Sequence, residues 1–136
     1  MTIRDAPLTI PAVTSATAGY WSQLKGGVFV LPSCESCGHR WFPPAAACPR
    51  CLSDRVGFAP ASGRGRIWSW TVIHRQYFDG FEPPYVVAVI RLDEGPLVTS
   101  AIVGSRPDDL RCDLQVRVVL EKFKDGRALP YFEVER

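Results

Sequence analysis

The sequence predicts a mainly β chain that opens with a short helix and ends in a closed barrel. Three observations carry the expectation. Gly and Pro together supply 23 of 136 residues, too many breakers for a helical bundle and apt for a turn-rich β protein. Four of the five cysteines fall as two Cys-x-x-Cys pairs between positions 34 and 51. From position 63 onward, short alternating runs are separated by turn signals.

Composition bounds the function before any motif does. Hydrophobic residues make up 46% of the chain, enough for a packed core, and charged residues 22%. A formal charge of +2 excludes a strongly basic nucleic-acid binder and an acidic solvating tail. No stretch approaches the roughly 20 apolar residues that span a bilayer. Asp5 and Pro7 stand where an export signal would need an apolar run, so a cytoplasmic protein is expected. In that reducing compartment the cysteines read as thiols or metal ligands before disulfides.

Residues 1–16 show no helical period and read as an extended arm. Residues 17–25 place Tyr20, Trp21 and Leu24 on one face, with Gly26 and Gly27 as the stop. Isolated helices below about 12–15 residues are marginal in water, so this one must dock on its own domain or on a partner subunit. Tyr20 and Trp21 are therefore candidate partner-interface residues.

Cys34, Cys37, Cys48 and Cys51 form the strongest local signal. Each Cys-x-x-Cys pair sets two thiolates at a tight turn, as one edge of a tetrahedral ion requires. Thiolate suits Zn²⁺, and iron in the same cage is the alternative metal. Redox dithiols would want a βαβ context that is missing here. Complete four-cysteine ligation leaves no open position, so one structural zinc is expected, with residues 17–62 as docking helix plus ribbon. Four thiolates and one Zn²⁺ would bring the formal charge of +2 to zero. His39 is read as a neighbour of the site rather than a ligand, and Cys112 as an ordinary small thiol.

Residues 63–136 read as the barrel. Residues 63–74 alternate, with Ile67, Ser69, Thr71 and Ile73 expected on one face and Trp68, Trp70, Val72 and His74 on the other. Further strands are expected over 85–92, 96–103, 115–123 and 129–134, with hairpin turns at Asp93-Glu94-Gly95 and Asp125-Gly126 and a turn or single helical twist over 105–110. Five strands with a break after the third match the Greek-key OB-fold. This stretch holds eleven Lys and Arg against eleven Asp and Glu, a neutral balance that disfavours phosphate-dominated nucleic-acid binding. A free-standing OB-fold nucleic-acid binder stays as the alternative. The connection over 75–84 carries Tyr77, Phe78 and Phe81, more large apolar groups than a solvated turn needs, and Phe78 and Phe81 are read as a partner interface.

Residues 17–134 resemble the zinc-ribbon/OB-fold family called DUF35, with a rubredoxin-like ribbon. The matching stretches are Cys34-x-x-Cys37-Gly38, Phe42-Pro43-Pro44, Cys48-Pro49-x-Cys51, Ser62-Gly63-Arg64-Gly65, Trp70-Thr71-Val72-Ile73-His74-Arg75, Pro83-Pro84-Tyr85-Val86-Val87-Ala88, Leu92-Asp93-Glu94-Gly95-Pro96 and Val116-Arg117-Val118. One departure is Leu52, where the family usually carries Gly. The resemblance implies a non-catalytic accessory subunit in a hetero-oligomer with a thiolase-superfamily protein, such as a thiolase, an acyltransferase or a lipid-transfer-type aldolase; some relatives partner enoyl-CoA hydratases. It also implies a share in forming the acyl-CoA channel. For the CoA phosphates Arg75, flanked by His74 and Tyr77, is the expected contact, since a guanidinium pairs bidentately with phosphate while an aromatic neighbour covers the adenine. His74 could serve as an acid or base, but reads more simply as a strand-end residue.

Overall fold

The computed structural model describes residues 11–78 and 81–136. Helix α1 spans Ala18–Lys25, and the strands are β1 (Val30–Cys34), β2 (Val56–Pro60), β3 (Arg64–Ile73), β4 (Tyr85–Leu92), β5 (Leu97–Val103), β6 (Gln115–Lys122) and β7 (Ala128–Val134). A single 3₁₀ turn, Pro107–Asp109, fills the break between β5 and β6. The first ten positions of the expected arm lie outside the described residues. No helix among those described is long and apolar enough to cross a membrane.

Five strands close into a barrel in the order β3-β4-β5-β7-β6, with β3 pairing back onto β6 through Arg64↔Arg117, Gly65↔Val116 and Arg66↔Gln115. The hairpin turns stand where Gly predicts them. At Gly95 φ is +113°, and at Gly126 it is +89°, conformations that L side chains rarely adopt.

The even alternation expected along β3 is corrected. A register shift between Ile67 and Ser69 inserts a bulge at Trp68, so Ile67 is buried, Trp68 and Ser69 both face out, and beyond the bulge Trp70, Val72 and Ile73 are half-buried while Thr71 is exposed. Arg91, on the neighbouring strand, lays its guanidinium over the exposed Trp68 ring at 4.4 Å, which gives the outward indole a partner.

Gly65 sits where three strands meet, opposite Leu92 on β4 and Val116 on β6. A Cβ there would lie 2.5 Å from the Arg91 carbonyl oxygen and 2.9 Å from Ile90 Cγ2. Backbone cannot yield as a side chain can, so Gly65→Ala is expected to destabilise the barrel by about 2 kcal/mol. Urea denaturation checks this, and an unchanged midpoint would refute it.

The helix docks on its own chain. Tyr20, Trp21 and Leu24 are buried in one hydrophobic cluster with Phe29, Val30 and Leu31 of the ribbon side and Ile67, Ile90 and Phe132 of the barrel. Phe29 meets Phe132 edge-on at 6.3 Å. Arg127 ties the N-terminal side down: Nη1 donates to the Pro11 carbonyl at 2.5 Å, and the guanidinium lies 5.5 Å from the Trp21 ring centre. Tyr20 and Trp21, expected at a partner interface, are therefore core residues here.

Candidate functional site

β1 and β2 form an antiparallel hairpin, with Cys34 opposite Val56, that delivers the first knuckle and receives the chain from the second. In the first knuckle the Gly38 amide donates to the Cys34 carbonyl at 2.9 Å, and Gly38 has φ +75°. The second repeats the geometry with Leu52, whose amide donates to the Cys48 carbonyl at 2.9 Å at φ +65°. The family's usual Gly would relieve a left-handed backbone at this place. The knuckle keeps its shape despite the substitution.

The four sulfur atoms lie within 4.8 Å of one another. Cys34 Sγ is 3.5 Å from Cys51 Sγ, and Cys37 Sγ is 3.7 Å from Cys48 Sγ. Sulfurs about 2.3 Å from a central zinc stand about 3.8 Å apart along a tetrahedral edge, so the cage fits the ion. Backbone amides aim at it. Those of Ser36 and Cys37 donate to Cys34 Sγ at 3.4 Å each, and that of Arg50 donates to Cys48 Sγ at 3.4 Å.

The same geometry divides the thiols electrostatically. Backbone donation from Cys37, with help from Ser36, draws the Cys34 thiol down to about 6. At Cys48 burial opposes ionisation, but the Cys51 and Arg50 amides outweigh it and the net shift is downward. Cys51 is favoured as a thiolate by the Ser53 amide, yet its sulfur neighbours, Cys34 first, push it up to about 12. Negative charge gathered on some sulfurs therefore holds back the last, and a divalent cation relieves that conflict.

Trp41 is the residue that sequence reasoning passed over. It is buried with Cys34 and Cys48 in a small cluster flanked by Val56, separate from the main core. His39 stacks on its ring at 5.9 Å with 17° between planes, consistent with a neighbour of the site. The only available signal was an indole between two cysteine pairs.

At the far end of β3 the other expected residues gather loosely. His74, Arg75, Tyr77 and Phe78 are all exposed. Arg75 places its guanidinium 5.5 Å from the Tyr77 ring centre. The two arginines within β3 are engaged, Arg64 with Glu135 at 3.5 Å and Arg66 with the Asp113 carbonyl at 3.1 Å. Phe78 meets Phe81 at 6.2 Å, and Phe81, half-buried, leans on Tyr85 at 5.6 Å. Cys112 is exposed, with Arg111 and Asp113 as its chain neighbours.

The comparisons with known proteins follow this division. Residues 21–57 match the family model of the ChsH2 rubredoxin-like zinc ribbon domain, and residues 59–121 that of the ChsH2 C-terminal OB-fold domain. A DUF35 domain-containing scaffold protein of Pyrococcus furiosus is 33% identical over 78% of this chain and 79% of its own length. A probable enoyl-CoA hydratase alpha subunit of Thermomonospora curvata is 32% identical over 90% of this chain, which spans 38% of that relative's length. A solved chain of an Ltp2-ChsH2(DUF35) aldolase superposes with a TM-score of 0.85 at 30% identity, covering 92% of this chain and 98% of the other. With its four-cysteine metal site, its closed barrel and these relatives, the chain belongs to the DUF35 family of zinc-ribbon and OB-fold proteins.

Proposed function

We propose that this protein is a non-catalytic accessory subunit of an acyl-CoA enzyme, joined in a hetero-oligomer to a thiolase-superfamily or aldolase-type partner, holding one structural zinc and helping to form the acyl-CoA channel. The observation that carries the reading is the near-complete superposition on the DUF35 chain of an aldolase complex. Relatives named as a benzoylsuccinyl-CoA thiolase subunit in Thauera aromatica and as a hydratase alpha subunit point the same way. So does the chemistry of the cage, whose four ligands leave no open coordination position and suit zinc as a structural ion.

Purification from the native host under mild conditions tests it. The expected product is a stable complex with a second, thiolase-like or hydratase-like chain, with acyl-CoA turnover in the complex. Co-purification of RNA or DNA alone would instead support the OB-fold nucleic-acid reading.

Within the complex Arg75 is the proposed phosphate contact, with Tyr77 beside it and His74 at the strand end. Unlike Arg64 and Arg66 of β3, Arg75, just past the strand, has no ionic or carbonyl partner among the described residues. Losing a hydrogen bond to a charged group forfeits about 1.5–3 kcal/mol. Arg75→Ala is therefore expected to raise KM for the CoA substrate about tenfold or more, with kcat within about twofold. Steady-state kinetics of the assembled complex decide it, and an unmoved KM removes Arg75 from the site.

A further inference from the structure

The barrel is not equally tight all round. β5 and β7 pair in parallel only at Ile102↔Phe132 and Val103↔Glu133. Beyond that point Pro130, which has no amide hydrogen, cannot extend the ladder, and the Ser100 hydroxyl donates to the Pro130 carbonyl at 2.6 Å. A groove of about 430 Å³ opens along this seam, roofed by α1 and the Phe42-Pro43-Pro44 turn and reaching Phe81 and Tyr85 at the base of the aromatic loop. Val87, Val98, Ala101 and Leu129 form its floor.

Resting on the reading of this chain as an acyl-CoA accessory subunit, we infer that the seam groove receives the uncharged, apolar acyl portion of the thioester substrate. Charge complementarity selects that occupant. The lining includes no Asp, Glu, Lys, Arg or His. Two of its tyrosines are held neutral: burial raises Tyr20, and partial burial with the nearby Glu121 charge raises the half-buried Tyr131 to about 12. An ionised head group would be desolvated there without a counter-charge, whereas a hydrocarbon chain loses only water. Size agrees. Small-molecule sites run about 300–1,000 Å³, while a stable protein interface needs on the order of 800 Å² from each partner. The groove also adjoins the aromatic loop near Arg75, so an acyl chain in it and a phosphate at Arg75 would lie on one side of the protein.

The test uses the full chain and two probes: S-octanoyl-N-acetylcysteamine, an uncharged thioester, and octanoate. Calorimetric titration is expected to show saturable thioester binding at least tenfold tighter than octanoate binding, with chemical-shift changes in the Val87, Val98 and Ala101 methyls. Ala101→Trp fills the groove and should abolish binding; Thr99→Trp, on the exposed rim, repeats the test if the first variant misfolds. The inference is overturned by no saturable binding, by equal affinity for octanoate, or by undiminished binding in a folded variant. It is also overturned if the thioester binds only after residues 1–10 are deleted, which would assign the groove to the chain's own N-terminal segment. A native-host complex that forms while the probe fails to bind sinks this inference alone, whereas probe binding without any such complex sinks the accessory-subunit reading.

Discussion

Replacing Cys48 with serine is expected to empty the metal site and unfold the tip of the ribbon while the barrel stays folded. Apparent binding free energies for structural zinc run about 10–16 kcal/mol, as large as the whole stability of a small domain, about 5–15 kcal/mol. The local packing shows why the tip has nothing else to rely on. Cys34, Trp41 and Cys48 are the buried residues of its cluster, so two of the three are cysteines of the proposed metal cage. The base of the hairpin is different: Phe29, Val30 and Leu31 belong to the core shared with the barrel and should remain protected. Elemental analysis should fall from one zinc per chain to well under half. Amide exchange should accelerate over residues 35–55 and stay slow along β4 and β6. A variant that retains its full metal content would defeat the expectation.

The double substitution Phe78→Ala, Phe81→Ala is expected to leave the fold intact and abolish assembly with the proposed partner subunit. Phe78 is 59% exposed, so truncating it leaves little cavity in this chain. Phe81 is half-buried and touches Tyr85, so some loss of stability is expected from it alone. Aromatic anchors at interface hot spots contribute on the order of 2 kcal/mol or more each, and together would weaken association on the order of a thousandfold. Gel filtration of the variant mixed with its native partner reads the loss, with the thermal midpoint as the control for folding. Complex formation at wild-type concentrations would retire the loop as an interface.

Much of the architecture was legible because its signals are local. Two Cys-x-x-Cys pairs fix a cage by spacing alone, and five alternating runs with Gly at the turns fix the strands and their order of appearance. The bulge at Trp68 was not legible. The run Ile67-Trp68-Ser69-Trp70 reads as regular alternation in either register, and the choice is made by pairing with β4 and by the Arg91 guanidinium above the indole. The helix was ambiguous for a related reason. Tyr20, Trp21 and Leu24 announce a face to be covered, but a short amphipathic segment does not say by what. The seam groove left no trace in the sequence, since its walls come from α1, the ribbon, β4, β5 and β7, and it exists because two strands part at a proline.

Closure of the barrel has a consequence for how this molecule can be recognised. Since β3 pairs with both β4 and β6, and β5 with β7, the barrel leaves a partner strand only the stretches beyond these two short closures, on β3 past Arg66 and on β5 before Ile102. The β1–β2 hairpin does have edges, but β1 is bridged to Arg40 at Ser33 on one flank. Recognition is thereby handed largely to side chains, and side chains can be exchanged without disturbing the sheet beneath. Loop residues at the end of β3, the proposed interface, can therefore differ between relatives while the hydrogen-bond ladder beneath them stays the same.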